Sequence, residues 1–346
     1  MSLPPSEVPQ GAIRFNTDSQ RLEFYAQGEW WVMSTDTPNL GTSGDSTPGA
    51  RACFGSGTTP SVSNTIDYIN IASTGNAVTF GGCANNTQGG SGSVASRTRG
   101  VWAGGQHPGA NADIHFITIA SNGDSTDFNA NLTSSRRFAA GVSNGTRGCF
   151  GGGLNSTDVI DYITIASTGV AAVDFGNLVT SRGQCAGLAS PIRGIFAGGH
   201  AHPSPSNSVQ VIDFISIATL GNAQDFGDLT NSGSEDLSGA SNATKGMIAG
   251  GSPAGNATQN TIQFITIATL GNAVNFGDLV VGRTSSGAAS SPTRAVFAGG
   301  YTNPGTTMTD SIDYVEIATE GNAVDFGNLT NSRDQLNGLS NAHGGL

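Results

Sequence analysis

From residue 50 onward, short apolar runs alternate with glycine-rich and polar phrases at a steady interval. The phrase Ile-Asp-Tyr, or a near variant, begins at Ile66, Ile114, Ile160, Ile212, Ile262 and Ile312, 46 to 52 residues apart. Each copy is preceded by a basic residue, an apolar stretch and glycines, as in RGVWAGG from Arg99 or RAVFAGG from Arg294. Each is followed by a turn and a second apolar stretch, as in GNAVDF. In the last copy this pattern predicts strand b at 294–298, ending on a glycine pair, strand c at 311–318, a turn at 319–322 and strand d at 323–326. Strand a of the next unit is predicted at 333–340. Four strands of this length with turns between them leave no room for a crossover helix and fit one propeller blade. The first repeat begins at strand b, whereas the last strand a has no partner of its own. Pairing these two would close six complete four-stranded blades into a ring.

Composition narrows the class further. Fifty-one of the 346 residues are glycine, without a collagen period, and each interior glycine costs a helix roughly 1 kcal/mol relative to alanine. An all-β chain is therefore expected. No run approaches the ~18 apolar residues of a spanning helix, and the N-terminal residues lack the basic and apolar regions of a signal peptide. A soluble chain is expected on these grounds. With 14 Lys+Arg against 25 Asp+Glu the net charge is −11, so neither nucleic acid nor an anionic membrane is an expected partner. The cysteines Cys53, Cys83, Cys149 and Cys185 show no CxxC spacing and are expected to be reduced thiols.

Most of the chemistry-bearing residues follow the repeat. Arg51, Arg99, Arg147, Arg193, Lys245 and Arg294 open strand b, and Arg136, Arg182, Arg283 and Arg333 open strand a; Gln88 and Ser234 replace that arginine in two copies. This periodicity predicts structural ion pairs between blades, with Asp67, Asp161, Asp213 and Asp313 or with Asp174, Asp225 and Asp325. Rings recurring once per blade, such as Phe54, Trp102 and Phe150 or Phe80, Phe128 and Phe175, are expected to fill the gaps between adjacent sheets. No glycine phrase has the GxxxxGK[ST] form or precedes a helix, and no acid pair stands apart from the blade period. Neither an enzyme nor a cofactor is expected. His107, His200 and His202 have no third ligand at a set spacing and read as exposed loop residues rather than a metal site.

The connections divide into two kinds. Those from c to d are nearly uniform, as in STGNA, TLGNA and TEGNA. Those from b to c run from LNSTD after Gly153 to HAHPSPSNSVQ after Gly199. Antiparallel order puts the b–c and d–a connections on one face, where variable loops on a rigid support are expected to carry recognition. The candidate recognition residues are His107, His200, His202, Asn256 and Tyr301.

Residues 8–33 form a separate pattern, VPQGAIRFNTDSQRLEFYAQGEWWVM, which predicts strands at 12–15, 21–25 and 30–33. A module over 1–34, a linker over 35–49 and a propeller over 50–346 follow. So small a meander is expected to dock on a partner or on copies of itself.

Two resemblances attach to these residues. The glycine pair after strand b, Tyr314 in c, Phe326 in d and Arg333 before a resemble the kelch pattern, which implies an all-β, six-bladed kelch-like propeller. Phe replaces the kelch Trp, and Gly55-Ser56-Gly57 replaces the first glycine pair. Gly11, Ile13 to Asp18, Leu22 to Tyr25, Gly28 and Trp30 resemble a module of bacteriophage tail fibres and tail-associated proteins, and the repeat phrases resemble marine and cyanobacterial phage propellers. That likeness implies a virion protein made in the host cytoplasm. Phe15, Phe24, Tyr25, Trp30 and Trp31 would attach it to other tail proteins, with homo-oligomers in the virion. The loops would meet a host-surface glycan, or contact virion subunits if the chain is a head decoration, nozzle or collar protein.

Overall fold

The computed structural model describes residues 8–16, 21–32, 51–59, 61–84, 90–106, 109–154, 157–201, 208–231, 233–253, 258–302 and 307–341. Among the described residues every regular element is a strand. The chain divides into two compact units, Met1–Pro48 and Gly49–Leu346.

In the first unit, strands β1 (Ile13–Asn16), β2 (Arg21–Ala26) and β3 (Glu29–Val32) form an antiparallel sheet in that order. Ile13 lies opposite Phe24, and Phe24 opposite Trp31. Because side chains alternate across a strand, Ile13, Phe15, Leu22, Phe24 and Trp31 share one face, and Arg14, Glu23, Tyr25 and Trp30 share the other. The aromatic residues expected to act together are thus split. Tyr25 is 3 % exposed and its ring lies 5.3 Å from that of Trp30, so these two pack within the meander.

The second unit holds six antiparallel four-stranded sheets, each in the order a-b-c-d. Sheet 1 is Asn337–Ser340, Arg51–Gly55, Thr65–Asn70 and Val78–Gly82. Sheet 2 is Gly92–Ala95, Arg99–Ala103, Asp113–Thr118 and Thr126–Asn131. Sheet 3 is Ala140–Ser143, Arg147–Gly151, Val159–Thr164 and Val173–Asn177. Sheet 4 is Ala186–Ala189, Arg193–Ala197, Val211–Ser216 and Gln224–Asp228. Sheet 5 is Ser238–Ser241, Lys245–Ala249, Thr261–Thr266 and Val274–Asp278. Sheet 6 is Gly287–Ser290, Arg294–Ala298, Ser311–Glu316 and Val324–Asn328.

Successive sheets pack face against face. One apolar cluster joins sheets 3 and 4, and an equivalent one joins sheet 6 to sheet 1 through Val296, Ile312 and Phe326 against Phe54, Ile69 and Ile71. Trp102 of sheet 2 lies so close to Gly55 that a Cβ there would stand 2.8 Å from the indole. The four cysteines are free and buried, and burial pushes the Cys53 and Cys149 thiols up to about 12.

The uniform c–d turns have a definite task. Gly321 and Ala323 of sheet 6 donate their backbone N–H groups to Phe276 and Asp278 on strand d of sheet 5, at 3.0 and 2.7 Å. Gly75 and Ala77 of sheet 1 do the same to Phe326 and Asn328 of sheet 6, at 2.8 and 2.7 Å. The outer edge of each strand d, otherwise open to pairing with another chain, is occupied by the next turn. The approach is so close that a Cβ on Gly277 would stand 2.2 Å from the Gly321 carbonyl oxygen.

The basic residues of strand b also bridge sheets, but not to the strand-c aspartates. The Arg193 guanidinium lies 4.7 Å from the Phe214 ring of its own sheet and donates to the Ile267 carbonyl of sheet 5 at 2.8 Å. Arg294 reaches the Ile71 carbonyl of sheet 1 in the same way, at 3.2 Å.

Candidate functional site

The b–c and d–a connections meet at one face of the second unit, and a buried latch fixes their bases. Arg182, on the connection into sheet 4, contacts Asp213 of that sheet's strand c at 2.9 Å. It also donates to the carbonyls of Gly198 and Phe196 at 2.8 and 3.1 Å. Asp213 accepts the Val179 backbone N–H at 3.0 Å, which ties the chain leaving sheet 3 to the core of sheet 4. Arg136–Asp161, Arg283–Asp313 and Arg333–Asp67 repeat the arrangement. Each pair therefore lies within one sheet and its entering connection rather than between strands of neighbouring sheets. Asp174, Asp225 and Asp325 are exposed on strand d.

The two copies without the arginine also lack the aspartate. Sheet 5 has Ser234 and Gln263, and Gln263 Oε1 accepts the Thr230 N–H at 2.7 Å, the bond that Asp213 makes elsewhere. Sheet 2 has Gln88, which lies outside the described residues, and His115. His115 is 1 % exposed and stacked on Trp102 with 6.2 Å between centroids; burial pushes its pKa down to about 4. A carboxylate buried without its arginine would carry an uncompensated charge, so the two residues are kept or lost together.

Two residues beyond each latch position the backbone turns left-handed. Phe138, Gln184, Asp236, Ser285 and Gln335 have φ between +54° and +59°, and Gly90 has +61°. Their backbone groups form an unbroken cycle. Each N–H donates to the carbonyl of its counterpart in the preceding copy: Phe138 to Gly90 (2.5 Å), Gln184 to Phe138 (3.0 Å), Asp236 to Gln184 (3.0 Å), Ser285 to Asp236 (3.0 Å), Gln335 to Ser285 (2.8 Å) and Gly90 to Gln335 (3.5 Å). Five of the six positions carry a side chain where glycine alone is unstrained. This collar lines a cavity of about 60 Å³, enough for a few waters. A larger ligand does not fit within it.

The rim consists of the first residue of each b–c loop. His200 pairs in β fashion with Gly183, and Tyr301 with Thr284; isolated bridges join Thr58 to Asp334, Leu154 to Arg137 and Ser252 to Glu235. His200 and Tyr301 thus occupy equivalent places. Contrary to the exposed-loop expectation, His200 is 9 % exposed and its Nδ1 lies 2.6 Å from Glu235 Oε2. His107, His202 and Asn256 lie outside the described residues. Among the described residues no three His, Cys, Asp or Glu side chains are grouped to hold a metal.

Charge around the rim is uneven. Arg137, hydrogen-bonded to Gln106, stands where the rim meets sheet 3, Glu235 and Asp334 where it meets sheets 5 and 1, and Asp236 lies in the collar beside Glu235. Asp236 accepts from Gln184 Nε2 at 2.8 Å, yet burial, together with the charges of Glu235 and Asp334, pushes its pKa up to about 6. Burial lifts Asp334 to about 6 as well. A carboxyl whose pKa rises on folding binds more protons in the native state between pH 4 and 6, so its contribution to stability falls as pH rises through that window. Asp236→Asn is therefore expected to raise stability at pH 7 by about 1 kcal/mol and to change it little at pH 4. Urea titrations at the two pH values check this, and an equal effect at both would refute the assignment.

No protein-family model matches the chain, and no curated protein does. The collar and its rim stand on geometry alone. Sequence reasoning missed the collar, although one sign was available: at a fixed offset from the repeated arginine, the six copies carry Gly, Phe, Gln, Asp, Ser and Gln.

Proposed function

We propose that the six sheets are the blades of a closed, kelch-like β-propeller, and that the protein is a non-enzymatic bacteriophage virion component, a tail fibre or tail-tip adhesin. Closure is supported by the cycle of collar hydrogen bonds and by the sheet 6 to sheet 1 contacts, which repeat those of every other joint. The N-terminal meander serves as the attachment module, and the b–c face is turned toward a host-surface glycan. The observation that carries the recognition reading is the contrast within that face. Latch and Gly-Gly positions repeat from sheet to sheet, whereas the loops that spring from them differ in length and composition. A rigid base with varied loops suits recognition, and several copies on one particle would turn weak contacts into avidity.

The shallow collar favours a second reading, a head-decoration, nozzle or collar protein whose loops meet neighbouring subunits across a flat contact. Exchanging the loops after Gly199 and Gly300 for the short type after Gly153 separates the two. The adhesin reading expects binding of purified protein to host cells to fall at least tenfold with the thermal transition unchanged. Undiminished binding, or loops covered by neighbours in the intact particle, would reject it.

A further inference from the structure

Where sheets 2, 3 and 4 meet, on the face opposite the b–c loops, the turns from strand a to strand b border a groove of about 580 Å³. The collar cavity holds about 60 Å³, and small-ligand sites run from about 300 to 1,000 Å³. The groove has a local cause in the sequence. Two residues before the basic residue that opens strand b, sheets 2 to 6 carry Arg97, Gly145, Pro191, Ala243 and Pro292. Of these five only Gly145 lacks a side chain, and the space it leaves open is lined by Arg97 of the preceding sheet and Pro191 of the next.

Bonds across both joints fix the walls. Arg99 donates to the Ile165 carbonyl at 2.7 Å with its guanidinium 4.3 Å from the Phe116 ring, which holds sheet 2 to sheet 3. Asn144 Nδ2 donates to the Pro191 carbonyl at 3.4 Å, which holds the turn of sheet 3 to that of sheet 4. The groove is therefore formed before a ligand arrives.

Charge and lining select that ligand. The chain carries a net −11, yet Arg97 and Arg99 line this groove and no acid does. Arg97 also stands outside the repeat. The other described basic side chains of the second unit are hydrogen-bonded, as Arg51, Arg147 and Arg193 are, whereas Arg97 is exposed and, among the described residues, has no bonded partner. One free guanidinium is a two-pronged donor suited to a single carboxylate. Thr98 and Thr146 add hydroxyls and Pro191 a small apolar surface, while no aromatic ring lines the groove for a base or another flat ring to stack on. We infer that this groove binds a carboxylated sugar residue of a glycan, with Arg97 on the carboxylate and Thr98 and Thr146 on the ring hydroxyls. Exchange of the b–c loops leaves it untouched, so this inference and the adhesin reading stand or fall separately.

Calorimetric titration of the full chain with a galacturonate trimer at low salt tests it. Binding is expected with a dissociation constant on the order of 0.1 to 1 mM. The same trimer methyl-esterified at each carboxyl keeps the shape without the charge and is expected to bind at least about tenfold more weakly. Arg97→Gln is expected to weaken binding of the acid by a similar factor, and Gly145→Gln, which refills the place that neighbouring sheets fill, to abolish it. Both positions are exposed and vary from sheet to sheet, so the thermal transition stays unchanged in each variant. No heat up to about 10 mM trimer, equal binding of acid and ester, or undiminished binding by either variant would overturn the inference. So would inorganic phosphate competing on equal terms with the trimer, which would make the groove a general anion site.

Discussion

Asp213→Ala is expected to destabilise the six-sheet unit by about 3–5 kcal/mol, because it leaves the guanidinium of Arg182 charged and fully buried with only carbonyls around it. Both side chains are 0 % exposed, so water cannot take over the lost contact. Arg182→Ser is expected to cost a similar amount for the reciprocal reason, since it strands the carboxylate. The chain itself suggests the rescue. Sheet 5 fills the same two places with Ser234 and Gln263 and keeps the backbone bond from Thr230. Arg182→Ser combined with Asp213→Gln should therefore lose far less than the two single changes together, with a coupling of at least 2 kcal/mol in a double-mutant cycle. Urea denaturation of the four proteins measures it. If the double variant were as unstable as the sum of the singles, the latch would not be the unit that the four repeats imply.

How far the fold was legible depended on which elements obey the repeat. Strands b and c carry β-branched and aromatic residues buried on both faces, and strand b of the last copy runs over Arg294–Ala298 as expected. Strand d begins one residue late, at Val324, because Ala323 is already bonded to the neighbouring sheet. Strand a, expected from 333, starts at Asn337. Arg333 is held in the latch and Gln335 turns left-handed in the collar, neither of which is compatible with an extended run. The arginine partners were half legible. The aspartates of strand c were among those named, whereas the carbonyl partners of Arg193 and its equivalents leave no mark in side-chain sequence. His200 was misjudged for a similar reason, since its partner Glu235 lies on the connection into the next sheet, 35 residues away.

Ending the chain after Leu336 is expected to have the largest effect of any change short of disrupting several sheets. The deleted strand supplies the whole of strand a in sheet 1, paired residue by residue from Asn337 opposite Gly55 to Ser340 opposite Ala52. Leu339, 0 % exposed, fills the space above Gly100 of sheet 2, where a Cβ would meet it at 2.5 Å. Losing that side chain alone is worth roughly 2–5 kcal/mol. The strand also pairs with the strand-b edge of sheet 1 and packs against strand a of both sheet 2 and sheet 6, so its removal opens two packed joints together. The truncated chain should show no cooperative melting transition and should aggregate, whereas a chain ending after Asn341 should melt as the wild type does. Circular permutation isolates closure from mere chain length. Asn341 and Arg51 are already hydrogen-bonded at 3.2 and 3.1 Å, so in the second unit alone, joining 341 to 50 through a short linker and opening the chain between Ala84 and Gly90 keeps every strand of the six sheets while making sheet 1 continuous. That permutant should fold with a melting temperature within about 5 °C of the wild type, because the same joints form and one loop closure is exchanged for another. A truncated chain that melted normally would mean that the six-sheet unit does not rely on its last strand. A permutant that failed to fold while keeping all twenty-four strands of the six sheets would mean that the order of folding, not the set of sheet-to-sheet joints, decides the structure.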